Sequence, residues 1–356
     1  MNFPSLDIAT ALRHFTLIFG ATILSFSVVM FLTPPYYKLL LRFGIKKKLR
    51  KEAADGRTAH IFRALPLKKE GTPTMGGVLI WMSVAIIVCI SPLAQYLGLT
   101  RFSLLNRNET YLPLATLLAT ALLGLADDFL NIHTEQKGLR LKPKFLWLTL
   151  FGLLGGAWFY FKLGYNLVHF PGLGSFIVGP WYIIIFALII VASANAVNFT
   201  DGLDGLAGGL IVISFTALGI VAYVQGLVIL AAFCGLIIGA TLAFLWFNIP
   251  PALFYMGDTG ALALGATMGV IAMLTNSIVI LPFVAFIFAI EGLSSFAQLL
   301  SKKFFKKKLF LIAPLHHHFE AKGWNEEKVV MRFWIIGSFM AVLGVILEFL
   351  SLLSRG

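Results

Sequence analysis

Residues 179–223 read GPWYIIIFALIIVASANAVNFTDGLDGLAGGLIVISFTALGIVAY. Two runs of 19 residues, Gly179–Val197 and Gly205–Tyr223, contain no charged side chain. Each reaches the roughly 18 apolar residues that mark a membrane-spanning helix. Between them, the short link from Asn198 to Asp204 carries two acids, Asp201 and Asp204, and no Lys or Arg. A chain crossing lipid must satisfy its own backbone hydrogen bonds, which leaves helices or a closed barrel. These runs are too long and too uniformly apolar for the alternation of barrel strands. The stretch therefore predicts two membrane helices joined by an acidic turn.

The same reading extends outward over the chain. Spans are expected at Phe15–Thr33, Gly76–Tyr96, Tyr111–Ala126, Phe145–Leu163, Gly179–Val197, Gly205–Tyr223, Leu227–Phe247, Thr259–Leu274, Ile278–Leu300 and Met331–Leu353. The expected fold class is all-α, a polytopic integral membrane protein with about ten transmembrane helices. Residues 1–356 form a single unit. Composition agrees, with 59% hydrophobic and 12% charged residues against about 25% charged in soluble domains. Cys89 and Cys234 fall inside apolar runs and read as small core residues, not a disulfide. The first apolar run has Asp7 before it and Pro34-Pro35 after it, so it does not read as a cleaved signal peptide.

Alternate loops divide the 28 Lys and Arg unevenly. One side holds eleven from Lys38 to Lys69, four from Lys137 to Lys144, seven from Lys302 to Lys328, and Arg332. The other holds Arg13, Arg101, Arg107, Lys162 and Arg355. Positive-inside sorting then places the basic loops in the cytoplasm and both termini outside. The net charge of +12 is mostly this asymmetry. The basic loops also suit anionic lipid or an anionic substrate.

The acids fall on that same face. Asp127-Asp128 end the third expected span, Asp201 and Asp204 fill the link after the fifth, and Asp258 closes the link 248–258 after the seventh. Acidic, glycine-bearing links among basic loops suit a divalent cation holding a phosphate. Asp204 and Asp258 each precede a helix start, so each is also a possible N-cap. The pair Asp127-Asp128 sits at an expected helix C-terminus, where the macrodipole disfavours negative charge. The turn Gly71-Thr72-Pro73-Thr74-Met75-Gly76-Gly77 reads either as tight packing before a helix or as a cradle for phosphate beside Lys68-Lys69. His316-His317-His318 cannot all face one metal from a helix, because successive side chains turn by about 100°. Contact with phosphate or substrate is the expectation there. Glu291, inside the ninth span or at an interruption near Gly292, is either functional or a brace for a broken helix. His14, His133 and His169 read as surface or interface residues.

With these pieces in place, the chain resembles the polyprenyl-phosphate N-acetylhexosamine-1-phosphate transferase superfamily, of the glycosyltransferase 4 type. Within it, the closer likeness is to the phospho-N-acetylmuramoyl-pentapeptide-transferase family. The marks are Thr72–Gly77, Asp127-Asp128-Phe129, Asn195–Gly205, Phe254–Asp258 and Pro314–Glu320. The resemblance implies ten spans in the bacterial cytoplasmic (inner) membrane, a homodimer, and a site facing the cytoplasm. That site draws on loops 34–75, 127–144, 198–204, 248–258 and 301–330. It also implies Mg²⁺, UDP-N-acetylmuramoyl-pentapeptide as donor and undecaprenyl phosphate as acceptor, with no nucleic-acid partner. Asp127, Asp128 and Asp258 match the family's catalytic aspartates, and Asp258 its magnesium ligand. Lys69, Thr74, Asn198, Asp201, Asp204, Asn248 and Tyr255 match nucleotide-side residues. His316, His317 and the adjacent His318 fall at the donor site. The family carries a basic residue soon after its aspartate pair; Asn131 and His133 stand there, so Lys137 is expected to serve. Lys68 and Lys69 are both placed to match the donor-side lysine.

The implied reaction is phosphoryl transfer with release of UMP, with Asp127 as base and Asp258 as metal ligand. The competing expectations are an N-acetylglucosamine-1-phosphate transferase of the same superfamily and, in another class, an anionic-solute transporter. Transporters place their polar groups near the bilayer midplane, whereas the acids here lie mostly at one face.

Overall fold

A computed structural model describes residues 7–46, 71–106, 108–133 and 141–354. Its elements in chain order are α1 (Ile8–Arg42), α2 (Gly77–Tyr96), α3 (Tyr111–His133), α4 (Leu141–Leu163), β1 (Leu167–Phe170), β2 (Gly174–Ile177), α5 (Trp181–Thr200), α6 (Leu206–Val224) and α7 (Val228–Asn248). Then follow α8 (Asp258–Leu274), α9 (Leu281–Val284), α10 (Phe286–Phe304), α11 (Leu315–Ala321) and α12 (Glu326–Ser354). Eight of the described helices are long and apolar enough to cross a membrane. The chain is a multi-pass, all-α membrane protein. Large apolar side chains on α1 and α12, such as Phe31 at 82% and Phe339 at 72% exposure, point away from the bundle, as lipid contact requires.

The core is built around α8, which is only 17 residues long and buried at every position from Thr259 to Leu274. It packs against α3 and α5 most extensively, with α2 and α6 beside them. Small residues permit the approach. A Cβ on Gly124 of α3 would lie 2.2 Å from the Asp258 carbonyl oxygen, so only glycine lets the two backbones meet there. Thr259 ties three helices together: its hydroxyl donates to the Ala121 carbonyl of α3 at 3.1 Å and accepts from the Trp81 indole of α2 at 3.1 Å. Around this centre, α1 lies along α7, α12 along α6, and α4 and α10 along α5.

Several expectations change. The ninth expected span is not one helix. It breaks at Ala285 (φ −112°, ψ 37°), not near Gly292, leaving the short α9 and the amphipathic α10. Pro282 opens α9, and the Ser214 hydroxyl of α6 donates to the freed Val284 carbonyl at 3.0 Å, which compensates the break inside the bundle. The loop expected from residue 34 begins later, because α1 continues through Pro34 and Pro35 to Arg42. An antiparallel hairpin, β1 with β2, interrupts the helical pattern after α4, turning at glycines with positive φ. Its His169 is buried at 3% exposure, with Nε2 2.5 Å from the Ser351 hydroxyl of α12, so of its two expected settings it takes the interface one, as a structural tie. Cys89 is exposed on α2, unlike the buried Cys234.

Candidate active site

The site forms where α3, α5 and α7 end and α8 begins. Asp127 and Asp128 do not sit at the end of α3, as the sequence suggested. The helix continues about six residues further, to His133, and both aspartates are buried. They are therefore held in place by other helices and not by a helix terminus.

Asp128 has a defined partner. Its carboxylate accepts the backbone N–H of Asp258 at 3.1 Å and of Thr259 at 3.0 Å. Those are the first amides of α8, which have no acceptor within their own helix. Asp128 thus caps α8 from across the interface. Asp258 is the first residue of that helix, and its side chain makes no capping bond, so the N-cap reading of Asp258 does not hold. The residue before it, Gly257, has φ 77°, and a Cβ there would lie 2.6 Å from Asp128 Oδ2. Glycine is required on both counts.

Released from capping, Asp258 faces two cationic or polar groups. Asn198 of α5 donates through Nδ2 to Asp258 Oδ1 at 2.7 Å. Lys144 of α4 donates through Nζ to Asp258 Oδ2 and, at 3.3 Å, to Asp127 Oδ2. The Lys144 side chain is 11% exposed, that of Asp127 8% and that of Asp258 24%. One ammonium therefore bridges two carboxylates with a third beside them, and Asp258 is the member most open to solvent. In the sequence Lys144 stands among the basic loop residues and is not among the expected site residues. Its signal was a lysine embedded at the start of an apolar run, after Pro143.

The remaining expected residues divide between this cluster and its supports. Thr74 is buried beside Gly257, and the 71–77 turn is joined to the 254–257 segment by Tyr255 N–H to the Pro73 carbonyl at 2.9 Å and Gly76 N–H to the Tyr255 carbonyl at 2.8 Å. Asn248 is buried with both ends of its amide engaged: Oδ1 accepts from Gly205 N–H at 3.1 Å and Nδ2 donates to the Phe254 carbonyl at 2.9 Å. It fastens the link 198–205 to the link 248–258. Asp204 is not an N-cap of α6 either; its Oδ2 accepts the Ala252 N–H at 3.1 Å, a second tie between the same links. Asp201 follows the end of α5 and is partly exposed. Lys68, Lys69 and Lys137 lie outside the described residues.

The three histidines open α11 and diverge, as a helix demands. His316 is fully buried and contacts Glu291 of α10. His317 Nδ1 lies 2.6 Å from Glu320 Oε2, while burial and the adjacent His316 hold its pKa below the usual value against that carboxylate. His318 accepts the Leu311 N–H on Nδ1 at 3.2 Å. Of the three, only His317 and His318 are partly exposed. The lysine-rich segment before them is held by Gln298, whose side chain bonds Leu309 and Phe310 backbone at 2.9–3.1 Å.

A magnesium ion fits the chemistry of this donor set. Asp127 and Asp258 offer hard oxygen donors near a charge-balancing lysine. Among the described residues, no group of three or more His, Cys, Asp or Glu is arranged as a metal cage. Magnesium commonly takes one or two carboxylates and fills its other positions with water and substrate phosphate.

Comparison with known proteins gives the family. The family described as "Glycosyl transferase family 4" matches residues 110–276, and the "Phospho-N-acetylmuramoyl-pentapeptide-transferase signature 1" matches residues 69–80. A phospho-N-acetylmuramoyl-pentapeptide-transferase of Geobacillus sp. (strain WCH70) is 36% identical over 92% of this chain and 97% of its own length. The protein of the same name from Pelagibacter ubique is 35% identical over 96% and 93%, and that from Chloroflexus aggregans 37% identical over 86% and 83%.

Proposed function

Since this chain belongs to the phospho-N-acetylmuramoyl-pentapeptide-transferase family, we propose that it transfers phospho-N-acetylmuramoyl-pentapeptide from its UDP-linked donor to undecaprenyl phosphate, giving lipid I and UMP. The observation that carries the reading is the Asp127–Lys144–Asp258 bridge at the head of α8, with Asp127 and Lys144 buried and Asp258 partly open. The chemistry is in-line attack by a phosphate oxygen of the lipid on the sugar-bound phosphorus, breaking its bond to the bridging oxygen of the diphosphate. UMP carries that oxygen away. Such transfers need positioning and charge neutralisation more than covalent chemistry.

Each residue has a part in that scheme. Lys144 offers an ammonium already desolvated and aimed between two carboxylates, ready to meet phosphate oxygens. Magnesium, when bound at Asp258 with Asp127 beside it, supplies further neutralisation of diphosphate charge. Asp127 accepts a proton from any monoprotonated acceptor phosphate, a modest demand because a phosphomonoester's second pKa is near 6. Asp128 acts by holding the Asp258 backbone, and Asn198 by orienting its carboxylate. Asp201, Asp204, Tyr255, Thr74 and the Lys69 region form the nucleotide side, and His317 and His318 the donor's sugar-phosphate side. The protein sits in the bacterial cytoplasmic membrane as a homodimer, with this face toward the cytoplasm.

The test is UMP release by purified protein in detergent, with several UDP-sugars, with and without undecaprenyl phosphate. The expected result is turnover with the muramoyl-pentapeptide donor, dependent on both acceptor and magnesium. Turnover with UDP-N-acetylglucosamine alone would assign the chain to the sister activity. A burst of one UMP per site without acceptor would replace direct attack by a covalent Asp258 intermediate.

A further inference from the structure

Glu291 and His316 are both at 0% exposure, at a depth where ionisable side chains are expensive to hold. Glu291 Oε1 accepts the His316 backbone N–H at 2.9 Å, and its Oε2 lies 3.2 Å from His316 Nδ1, a close contact without an aligned hydrogen bond. The opposite edge of the ring meets the link between α5 and α6: a Cβ on Gly202 would lie 2.4 Å from Nε2. Nε2 is buried with no hydrogen-bond partner among the described residues, so its edge serves as a contact surface. Gly202 itself is exposed on its other side, and Asp201 and Asp204 flank it.

We propose that Glu291 and His316 are a positioning pair that sets the height of the 198–205 link from beneath, and with it the seat of the donor's nucleotide. This rests on the function proposed above. It gives His316 a role distinct from His317 and His318, because the link covers its ring and no donor reaches it. Glu291 fixes both the backbone and the ring of His316, and the ring edge fixes Gly202. The consequence is that disturbing any of the three lets the link sink or rise while the Asp127–Lys144–Asp258 cluster stays in place.

The experiment compares Gly202→Ala, Glu291→Ala, Glu291→Gln and His316→Ala by donor and acceptor kinetics and by hydrogen–deuterium exchange of the 198–205 amides without substrate. Gly202→Ala leaves both buried side chains intact and so tests the contact even where the other variants fold poorly. Gly202→Ala, Glu291→Ala and His316→Ala are expected to raise the donor KM about tenfold, with kcat at saturating donor within about threefold of the parent and the acceptor KM unchanged. Exchange in the link is expected to accelerate in Glu291→Ala and His316→Ala. Glu291→Gln, which keeps a carbonyl oxygen for the His316 N–H, is expected to restore most of the donor KM. The proposal is overturned if His316→Ala lowers kcat with the donor KM unchanged, since the ring would then act in the chemistry. It is equally overturned if Gly202→Ala and Glu291→Ala leave donor KM and link exchange as in the parent. A parent protein inactive on the muramoyl-pentapeptide donor would instead refute the function, and the exchange data alone would then judge the pair.

Discussion

Asp128 offers the sharpest test of how the site is assembled. Its two carboxylate oxygens take the first two amides of α8, at 3.1 and 3.0 Å, in a place where water is excluded. Asp128→Ala strands both donors. A buried donor left without a partner costs about 1–3 kcal/mol, and loss of an N-cap about 0.5–2 kcal/mol. These overlap, and relief of repulsion from Asp127 and Asp258 offsets part, so about 2–4 kcal/mol of destabilisation is expected. Asp128→Asn keeps one oxygen, which serves one amide well and the other poorly, and about half that loss is expected. The assay is thermal unfolding in detergent by tryptophan fluorescence, alongside UMP release. The order of stability should be parent, then Asn, then Ala, with activity following the same order because Asp258 moves with its backbone. If Asp128→Ala unfolds at the parent temperature while activity vanishes, Asp128 contacts substrate and the cross-helix cap is not its role.

Three further outcomes follow from the geometry. Lys144→Met leaves the buried Asp127 and the partly exposed Asp258 without their cation, a loss of about 2–4 kcal/mol measured in EDTA, below the full cost for a fully buried pair; magnesium at about 100 times its dissociation constant should return about 2.7 kcal/mol, and stability indifferent to both changes would refute the bridge. Gly124→Ala drives a methyl into the Asp258 carbonyl, so α3 and α8 must part, with about 1–3 kcal/mol lost and turnover down about tenfold or more; unchanged turnover would show that the contact is loose. His317 has its pKa depressed by burial, so the unfolded chain binds its proton more readily than the folded one, and folding stability falls as pH drops through about 6.5 toward the folded value. His317→Asn should flatten that part of the stability curve between pH 7 and 5, and an unaltered slope would count against it.

The sequence exposed what composition and hydropathy govern. Apolar runs gave the helices, and acids at or near the ends of those runs marked the face on which Asp127, Asp128 and Asp258 meet. What it hid depends on contacts between distant segments. Lys144 looked like one more positive-inside lysine, because nothing local records that α4 brings it to Asp258, 114 positions later. Asp128 looked like half of an acid pair, because its cap lies on a helix 130 positions away. The break at Ala285 was invisible to hydropathy, since the residues around it are apolar whether helical or not. Pro34-Pro35 misled in the other direction: proline usually ends a helix, yet α1 carries both.

The length of α8 has a consequence for how its first turn is held. Seventeen residues at ~1.5 Å each span ~25 Å, short of the ~30 Å thickness of a bilayer's hydrocarbon layer. The rod is thus shorter than that layer, and its far end is finished by Tyr165 and Gln225, which hydrogen-bond the Leu274 and Thr275 carbonyls. At the other end the first residue of the rod is Asp258. Because the rod is short, its first turn is met from the side by three longer helices: Asp128 of α3 takes its opening amides, while Lys144 of α4 and Asn198 of α5 take the Asp258 carboxylate.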